Sequence, residues 1–180
     1  MADLRLDAGD IRRTLGRMAH EVLETHDGAD NLVVIGILKR GFYVAKRLAF
    51  AMTNIEGTTV PCGSLDIGPF RDDLAGLSDV SDDSEIPFDV NGKRVVLVDE
   101  VMQTGRTIRA ALDALMRHGR PAQVRLAVLI DRGGRELPIQ PNYVGKVMEA
   151  AKDERIEVRF AETDGEDAVY IQKGAMPCTS

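Results

Sequence analysis

The alternation of two kinds of segment constrains the fold of this chain most strongly. Apolar runs of strand length lie at residues 32–37 and 95–98, and each precedes a short polar loop and a segment with helical apolar spacing. A further apolar run lies at 124–130. Runs without polar alternation are typical of strands buried on both faces, as in parallel sheets. The sequence therefore predicts an α/β protein with a central parallel sheet flanked by helices.

The helical segments can be placed from their apolar spacing. Ile11, Leu15, Met18 and Val22 form one stripe of a helix that is expected to end near Asp27. The other predicted elements are a helix at about 42–52, a strand candidate at 60–67, a helix from about 108 to 115, and a closing hairpin between 156 and 171.

Residues 68–89 form the longest stretch without apolar periodicity. The stretch is rich in Asp, Ser, Gly and Pro, which predicts a long flexible loop. Compact domains seldom carry a structureless loop of roughly 20 residues unless it serves the active site. The sequence therefore predicts a lid at 68–89, with a disordered insertion as the alternative. The last residues, 173–180, are expected to be frayed.

Composition limits the class of protein. The 180 residues carry 23 Lys or Arg and 29 Asp or Glu, a formal charge of −6, and fit one domain over 1–180. Cys62 and Cys178 lie far apart without CxxC spacing, which is typical of a reducing compartment. The chain shows no signal pattern and no apolar run of about 20 residues, so we expect a cytoplasmic protein without a membrane segment. The negative charge does not exclude RNA as a partner.

The strongest chemical signal is the stretch VVLVDEVMQTGRT at residues 95–107, where a predicted strand runs into a helix. Ligands bind beyond the carboxyl ends of parallel strands. Backbone amides and the hydroxyls of Thr104 and Thr107 would receive a phosphate, and Gly105 would permit its close approach. The carboxylates of Asp99 and Glu100 would accept hydrogen bonds from sugar hydroxyls or face a divalent cation. The prediction is a ribose phosphate site, with an acidic helix cap as the alternative.

The same stretch resembles the signature with which type I phosphoribosyltransferases hold the 5-phosphate of phosphoribosyl diphosphate (PRPP), with Glu100 in place of the usual second Asp. Over almost the whole chain the sequence is similar to the PyrR family of bifunctional pyrimidine operon regulators and uracil phosphoribosyltransferases. The resemblance implies a type I phosphoribosyltransferase fold with a small hood and a long flexible loop. The matching segments are residues 11–21, 35–49, 65–74, 95–107 and 126–146.

The resemblance implies which residues contact the substrates. Residues 39–41 resemble the family's pyrophosphate loop, which holds the leaving diphosphate. The implied catalytic groups are two carboxylates, a cation in this pyrophosphate loop, and an acid and a cation after the run at 124–130: Asp99, Glu100, Arg40, Asp131 and Arg132. PRPP and UMP are expected to contact residues of two loops. These predicted contacts are Lys39, Arg40, Gly41, Asp99, Glu100, Gln103, Thr104, Gly105, Arg106 and Thr107.

Three further assignments follow from the same resemblance. The lid would carry Arg71, Asp72 and Asp73. Leu129 and Ile130 would help to line the uracil pocket. The implied cofactor is Mg²⁺, bound through PRPP and water, with Asp131 in its shell.

The implied reaction joins N1 of uracil to C1 of PRPP and releases diphosphate and UMP. Positive charge builds on the sugar as the leaving group departs, so charge neutralisation, ribose binding and exclusion of water would suffice without a covalent nucleophile. The three histidines, His20, His26 and His118, are expected at the surface and are not predicted to be general bases.

The resemblance also implies a second function, binding of a stem-loop in pyrimidine operon mRNA with UMP or UTP as corepressor. Such binding would act by attenuation of transcription or by translational repression, and a homodimer or an assembly of dimers would carry it. Arg13, Arg17 and His20 share one face of the first predicted helix, and together with Arg135 and Lys146 they are the predicted RNA contacts.

Two alternatives stay open. Gly16, Gly134 and Gln140 stand where the family often has a hydroxyl residue, His and Arg, so each removes a possible RNA contact. The first alternative is therefore a uracil salvage enzyme without RNA regulation. The second is a type I phosphoribosyltransferase for another base, such as orotate or a purine.

Overall fold

The computed structural model describes residues 2–74 and 81–173. Its strands and helices follow the predicted alternation. In chain order they are β1 (Asp3–Leu6), α1 (Ala8–Thr25), β2 (Leu32–Ile37), α2 (Arg40–Glu56), β3 (Cys62–Leu65), β4 (Arg94–Met102), α3 (Arg106–Leu115), β5 (Gln123–Asp131), β6 (Tyr143–Val147), β7 (Glu154–Arg159), α4 (Ala161–Asp164) and β8 (Ala168–Lys173).

The central sheet has five strands in the order β3-β2-β4-β5-β6, and all neighbouring pairs are parallel. The predicted parallel sheet is thus confirmed. Its strands meet at one carboxyl edge, where the loops after β2, β4 and β5 come together. Strand β4 is longer than its apolar run because pairing with β5 continues to Met102. Asp99 and Glu100 therefore lie within the strand and not in the loop after it.

A three-stranded antiparallel sheet, β1-β8-β7, forms the hood. The predicted closing hairpin is confirmed as β7 and β8, in which Ile156 pairs with Ile171 and Val158 with Val169. The short helix α4 connects the two strands. The N-terminus contributes strand β1, in which only Leu6 of the four residues is buried.

Two apolar clusters pack on the two faces of the parallel sheet. Helices α1 and α2 and the hood cover one face, where Met18, Leu48 and Phe160 are almost fully buried. Helix α3 covers the other face with Ile108 and Leu115. An Asp7 capping box starts α1, and its side chain accepts a hydrogen bond from Asp10 N. Burial of these helix stripes fixes the helices on either side of the sheet edge that carries the loops.

The segment 68–89 is more ordered than predicted where the structure describes it. Two short 3-10 turns, Gly68–Phe70 and Asp72–Leu74, follow β3. Glu85 pairs with Ser64 as an antiparallel bridge, which ties the returning chain to β3. Residues 75–80 of the predicted lid and residues 174–180 of the predicted frayed tail lie outside the described residues. Within the described ranges, no helix is long and apolar enough to cross a membrane.

Candidate active site

The loop of residues 103–107, here called the phosphate loop, joins β4 to α3. Gly105 adopts a φ of 92°, a conformation that favours glycine, and is the N-cap of α3. Asp99, Thr104, Gly105 and Thr107 line a cavity of about 210 Å³ at this point. The structure therefore brings the predicted phosphate ligands and one predicted ribose ligand to the same cavity.

The backbone of the phosphate loop leaves several donors open. Within residues 2–74 and 81–173, the N–H groups of Gln103, Thr104 and Gly105 donate to no protein acceptor, whereas Arg106 N donates to Thr104 Oγ1 at 3.3 Å. Open backbone donors at the start of a helix favour an anion. The loop thus has the hydrogen-bonding capacity that a phosphate group requires.

Asp99 is the buried acid of the site, with 5% of its surface exposed. Its Oδ1 accepts a hydrogen bond from Glu100 N at 2.9 Å, and no cation among the described residues forms an ion pair with it. Burial, together with the charge of Glu100, raises the pKa of Asp99 well above its usual value. A carboxyl group held in this way is suited to exchange hydrogen bonds with ribose hydroxyls.

The pyrophosphate loop at the end of β2 lies directly against Asp99. A Cβ atom on Gly41 would come within 2.8 Å of Val98 O and 3.0 Å of Asp99 Oδ1, so the position requires glycine. The Leu38–Lys39 peptide bond is cis, and the Lys39 side chain is exposed. Sequence reasoning assigned Gly41 to this loop but gave no sign that it makes room for Asp99.

The Arg40 side chain points to the hood. Its guanidinium donates to Val158 O at 2.7 Å and to both carboxylate oxygens of Asp164, at 2.5 and 3.0 Å. The hydrogen bonds from Arg40 lower the pKa of Asp164. Arg40 therefore links the pyrophosphate loop to the hood hairpin, and its predicted contact with diphosphate stays a prediction.

The predicted lid residues lie beside the phosphate loop. Arg71 pairs with Asp73, with its Nη2 at 2.6 Å from Oδ2. Asp72 pairs with Arg106 of the phosphate loop at 2.8 Å. These residues border a second cavity of about 220 Å³ together with Thr104 and Thr107. The structure thus brings the start of segment 68–89 to the predicted substrate site.

The acid and the cation after β5 already have protein partners. Asp131 accepts hydrogen bonds from Gly133 N at 2.9 Å and from Arg135 Nη2 at 2.7 Å. Burial raises the pKa of Asp131, but the hydrogen bonds from Arg135 and Gly133 outweigh burial, and the pKa is lowered from its usual value. Arg132 donates to Gln103 Oε1 at 3.3 Å and to the carbonyls of two residues that precede or begin β7, Ala151 at 3.0 Å and Glu154 at 2.8 Å.

The two predicted uracil pocket residues are more deeply placed than expected. Leu129 and Ile130 are fully buried and pack in the apolar cluster beneath α1, α2 and the hood. Neither side chain lines the cavities at the phosphate loop. Their contact with the base stays a prediction.

Four of the five predicted RNA contacts lie on α1 and β6, which pack together. Arg17 donates to the carbonyls of Val144 and Gly145 at 2.9 and 2.6 Å and thereby links α1 to β6, the edge strand of the sheet. Arg13 pairs with Asp10 at 2.7 Å. The remaining two side chains on this face, His20 and Lys146, are exposed.

Arg135 is placed differently from the other predicted RNA contacts. Its side chain is 14% exposed and lies between Asp131 and the phosphate loop. The exposed face of α1 and β6 with Arg13, Arg17, His20 and Lys146 is here called the α1–β6 surface. The contacts of the Arg135 guanidinium place it away from this surface. Sequence reasoning could not distinguish the two placements, because an arginine in a polar loop gives the same pattern in either case.

The expectation that all three histidines lie at the surface is wrong for His26. His26 is 3% exposed, and its Nδ1 lies 2.8 Å from Val22 O. His20 is exposed, and His118 Nε2 lies 3.9 Å from Asp82 Oδ2. Burial raises the pKa of the Cys62 thiol to about 11, so this thiol is not a nucleophile at neutral pH. In the described part of the chain, no cluster of three His, Cys, Asp or Glu could hold a metal ion.

Comparisons with known proteins agree with the geometry. The model of the phosphoribosyl transferase domain family matches residues 6–161. "Bifunctional protein PyrR 1" of Lactiplantibacillus plantarum is 51% identical over 178 residues, which cover 96% of this chain and 98% of that relative. "Bifunctional protein PyrR" of Pelotomaculum thermopropionicum is 54% identical over 172 residues, covering 94% and 95% of the two chains.

Solved structures support the fold. A hypoxanthine phosphoribosyltransferase of Trypanosoma cruzi superposes with a TM-score of 0.72 at 18% identity, covering 96% of this chain and 97% of the other. A hypoxanthine-guanine phosphoribosyltransferase of Bacillus anthracis gives 0.69 at 20% identity, covering 96% and 99%. With the signature, the parallel sheet and the relatives in agreement, the chain belongs to the phosphoribosyltransferase family and, within it, to the PyrR family.

Proposed function

We propose that the chain transfers the phosphoribosyl group of PRPP to N1 of uracil, forming UMP and diphosphate. The observation that carries this proposal is the shared cavity of the phosphate loop and Asp99. The open backbone amides of the phosphate loop are suited to a phosphate group. The carboxyl group of Asp99, which is 5% exposed, is suited to the hydroxyls of a sugar. A phosphoribosyl group carries both a phosphate and sugar hydroxyls, and the cavity of about 210 Å³ lies between the groups that suit them.

The protein groups act by binding and orienting the substrate. The bond from C1 to the diphosphate oxygen breaks while the bond from C1 to N1 of uracil forms, and N1 loses its proton. Asp99 and Glu100 would hold the ribose hydroxyls while positive charge develops on the sugar. Arg71, Asp72 and Asp73 are proposed to cover the bound PRPP, because they already border the cavity beside Thr104 and Thr107. No side chain is required to form a covalent bond.

The residues fit a magnesium ion that arrives with the substrate. Asp131 is hydrogen-bonded by Gly133 and Arg135, and no ready cluster of ligands exists in residues 2–74 and 81–173. Mg²⁺ commonly binds through substrate phosphates and water with one or two carboxylates. When bound, it would neutralise charge on the departing diphosphate. Asp131 would face that ion through water, while Lys39 and Arg132 would supply further positive charge near the diphosphate.

The enzymatic proposal is tested by product formation from defined bases. The purified chain is incubated with PRPP, Mg²⁺ and uracil, orotate or hypoxanthine, and nucleotide and diphosphate are quantified. We expect UMP and diphosphate in equal amounts from uracil and little product from the other bases. Turnover of hypoxanthine or orotate in preference to uracil would replace the proposal with the alternative of another base.

We propose as the second function uridine nucleotide-dependent binding to a stem-loop of pyrimidine operon mRNA. The relatives at 51% and 54% identity carry the name bifunctional, and the α1–β6 surface presents Arg13, Arg17, His20 and Lys146 together. Cations on an exposed face contact phosphates, and loop bases then add specificity. A homodimer or an assembly of dimers would join two such surfaces into a longer one.

The RNA proposal is tested with the operon's own leader RNA. Binding is measured with and without UMP at two salt concentrations, for the wild type and for the double variant Arg13→Ala, Lys146→Ala. We expect UMP to tighten binding, and the double variant to bind more weakly with a salt slope smaller by about 2. The control variant Arg5→Ala, Arg120→Ala removes two exposed charges elsewhere and should bind normally. Wild-type binding no tighter than to scrambled RNA would favour the salvage enzyme without regulation.

A further inference from the structure

Three consecutive carbonyl groups at the end of β4 point to one segment of the chain, residues 132–137, here called the clamp. Met102 O accepts from Arg132 N at 2.9 Å, and Gln103 O accepts from Arg135 Nη1 at 2.9 Å. Thr104 O accepts from both Glu136 N at 2.9 Å and Leu137 N at 3.0 Å. The clamp thus holds three peptide groups in succession by their oxygen atoms.

This arrangement determines where the amides of the phosphate loop point. In a planar trans peptide the C=O of one residue and the N–H of the next point in opposite directions. The carbonyls of Met102, Gln103 and Thr104 therefore fix the N–H groups of Gln103, Thr104 and Gly105. These are the donors that have no acceptor in the described ranges. By holding the oxygens, the clamp turns the N–H groups away from itself, to the side on which a phosphate can be received.

Arg135 contributes the one side-chain donor among these carbonyl contacts, and it has several other partners. Besides Gln103 O, its guanidinium donates to Ile139 O at 3.0 Å and to Asp131 Oδ2 at 2.7 Å. It also lies 3.2 Å from Gln140 Oε1. A planar guanidinium can make these contacts at once because its donors diverge in fixed directions. Arg135 thereby joins the phosphate loop, the end of β5 and the chain beyond the clamp.

We infer that Arg135 is a positioning residue for PRPP, acting through the backbone of the phosphate loop and not by touching substrate. Without it, the Gln103 peptide would lose its orienting contact, and the amide of Thr104 would spend less time directed at the 5-phosphate. The inference deepens the proposed function, on which it rests for the identity of the sugar phosphate.

Arg135→Ala and Arg135→Lys test the inference, and Arg94→Ala is the matched control. Arg94 is likewise partly buried and donates to two carbonyls, His26 O at 2.6 Å and Asp30 O, but it lies at the opposite end of the sheet. PRPP binding in the presence of Mg²⁺ is measured by calorimetry. The KM values for PRPP and uracil, kcat and thermal stability are measured in parallel.

We expect Arg135→Ala to weaken PRPP binding and to raise the KM for PRPP by about tenfold, with the KM for uracil nearly unchanged. Lysine can pair with Asp131 but cannot also reach Gln103 O and Ile139 O. Arg135→Lys should therefore recover stability without recovering PRPP affinity. The control variant Arg94→Ala should lose stability but keep the PRPP affinity of the wild type.

PRPP affinity within twofold of wild type in Arg135→Ala would overturn the inference, and so would an equal loss in Arg94→Ala. Full recovery of affinity by Arg135→Lys would also overturn it, because the Asp131 ion pair alone would then explain the effect. Because calorimetry measures PRPP binding directly, the result for Arg135 does not depend on which base accepts the phosphoribosyl group. A wild-type chain that binds PRPP but makes no UMP would refute uracil transfer, and Arg135 would still be judged on PRPP affinity. A wild-type chain that binds no PRPP would overturn both.

Discussion

The two ends of the central sheet differ in what their polar groups contact. At the carboxyl end, Asp99 is buried and has no ion-pair partner among residues 2–74 and 81–173, and the amides of the phosphate loop have no acceptor in the same ranges. At the amino end, side chains satisfy backbone groups of neighbouring segments. Arg94 donates to His26 O, Asn31 Nδ2 donates to Gly92 O at 2.7 Å, and Asn142 Oδ1 accepts from Leu126 N at 2.9 Å.

This difference in hydrogen bonding distinguishes polar groups that stabilise the fold from polar groups that are available to a ligand. A buried polar group that finds a protein partner contributes to folding, whereas one without a partner costs free energy until substrate supplies it. Changes to the polar groups that lack a protein partner at the carboxyl end should therefore alter substrate binding more than stability. Changes at the amino end should do the reverse.

The largest expected effect is that of Asp99→Asn. The amide keeps the shape of the carboxyl group but replaces one oxygen with an NH2 donor, so the ribose hydroxyls lose an acceptor and kcat/KM for PRPP should fall by about 100-fold. Because a buried carboxylate is costly, urea unfolding should show no loss of stability. Asp113→Asn on the exposed face of α3 is the control. Unchanged kcat/KM in Asp99→Asn would remove the ribose assignment.

Gly41→Ala tests the contact between the two loops of the site. The added methyl group would meet Val98 O and Asp99 at 2.8–3.0 Å, so one of them must move. We expect a loss of roughly 1–3 kcal/mol in the free energy of unfolding, with weaker PRPP binding. Gly16→Ala in α1 serves as the control in urea unfolding. An added Cβ there would lie more than 4 Å from every heavy atom of the described residues outside the adjoining helix backbone, so the change should be stabilising. Equal stability of both variants would contradict the predicted crowding.

Arg94→Ala tests the amino end. Two backbone carbonyls would lose a donor, so the free energy of unfolding should fall by about 1–3 kcal/mol while kcat and KM stay at wild-type values. Urea unfolding and steady-state kinetics measure the two quantities. A kinetic defect in the folded variant would show that the two ends of the sheet are not separable in this way.

Asp164→Asn tests the role of Arg40. If Arg40 serves the diphosphate as the resemblance implies, releasing it from Asp164 should tighten diphosphate binding a few-fold. Competition by diphosphate against PRPP gives the affinity, and Glu162→Gln, which affects Arg47 of the same helix, is the control. An unchanged diphosphate affinity would indicate that Arg40 serves only to hold the hood hairpin against α2.

The smallest effect concerns His26 and pH. Burial lowers the pKa of His26 below 6.5, so the folded chain favours the neutral ring, and stability should fall as pH drops below 6.5. One proton limits the slope to about 1.4 kcal/mol per pH unit. His26→Asn keeps a donor for Val22 O and should flatten the pH dependence between 6.5 and 5 in urea unfolding. An unchanged slope would assign the acid sensitivity to other groups.

Sequence patterns predicted most of the parallel sheet because its strands are buried on both faces and read as unbroken apolar runs. They missed β6 because this edge strand is half exposed, and Tyr143 is its one fully buried residue. The phosphate loop was predictable because a glycine and hydroxyl residues at a strand-helix junction form a local sequence pattern, and the backbone amides of such a junction can receive a phosphate.

The directions of long side chains could not be predicted in the same way. Arg40 and Arg135 reach partners distant in sequence or in neighbouring loops, and only the folded chain brings Asp164 or Gln103 near them. His26 was misplaced for the same reason, because it follows an exposed-looking helix end yet lies against Tyr143.

The most direct test of the account is a crystal structure of the chain with UMP. We predict that the phosphate accepts hydrogen bonds from the amides of Thr104 and Gly105 and from the hydroxyl of Thr107, that the ribose hydroxyls contact Asp99 and Glu100, and that Arg135 stays on Gln103 O. UMP bound elsewhere, for example in the groove of about 680 Å³ between α1 and α2, would contradict it.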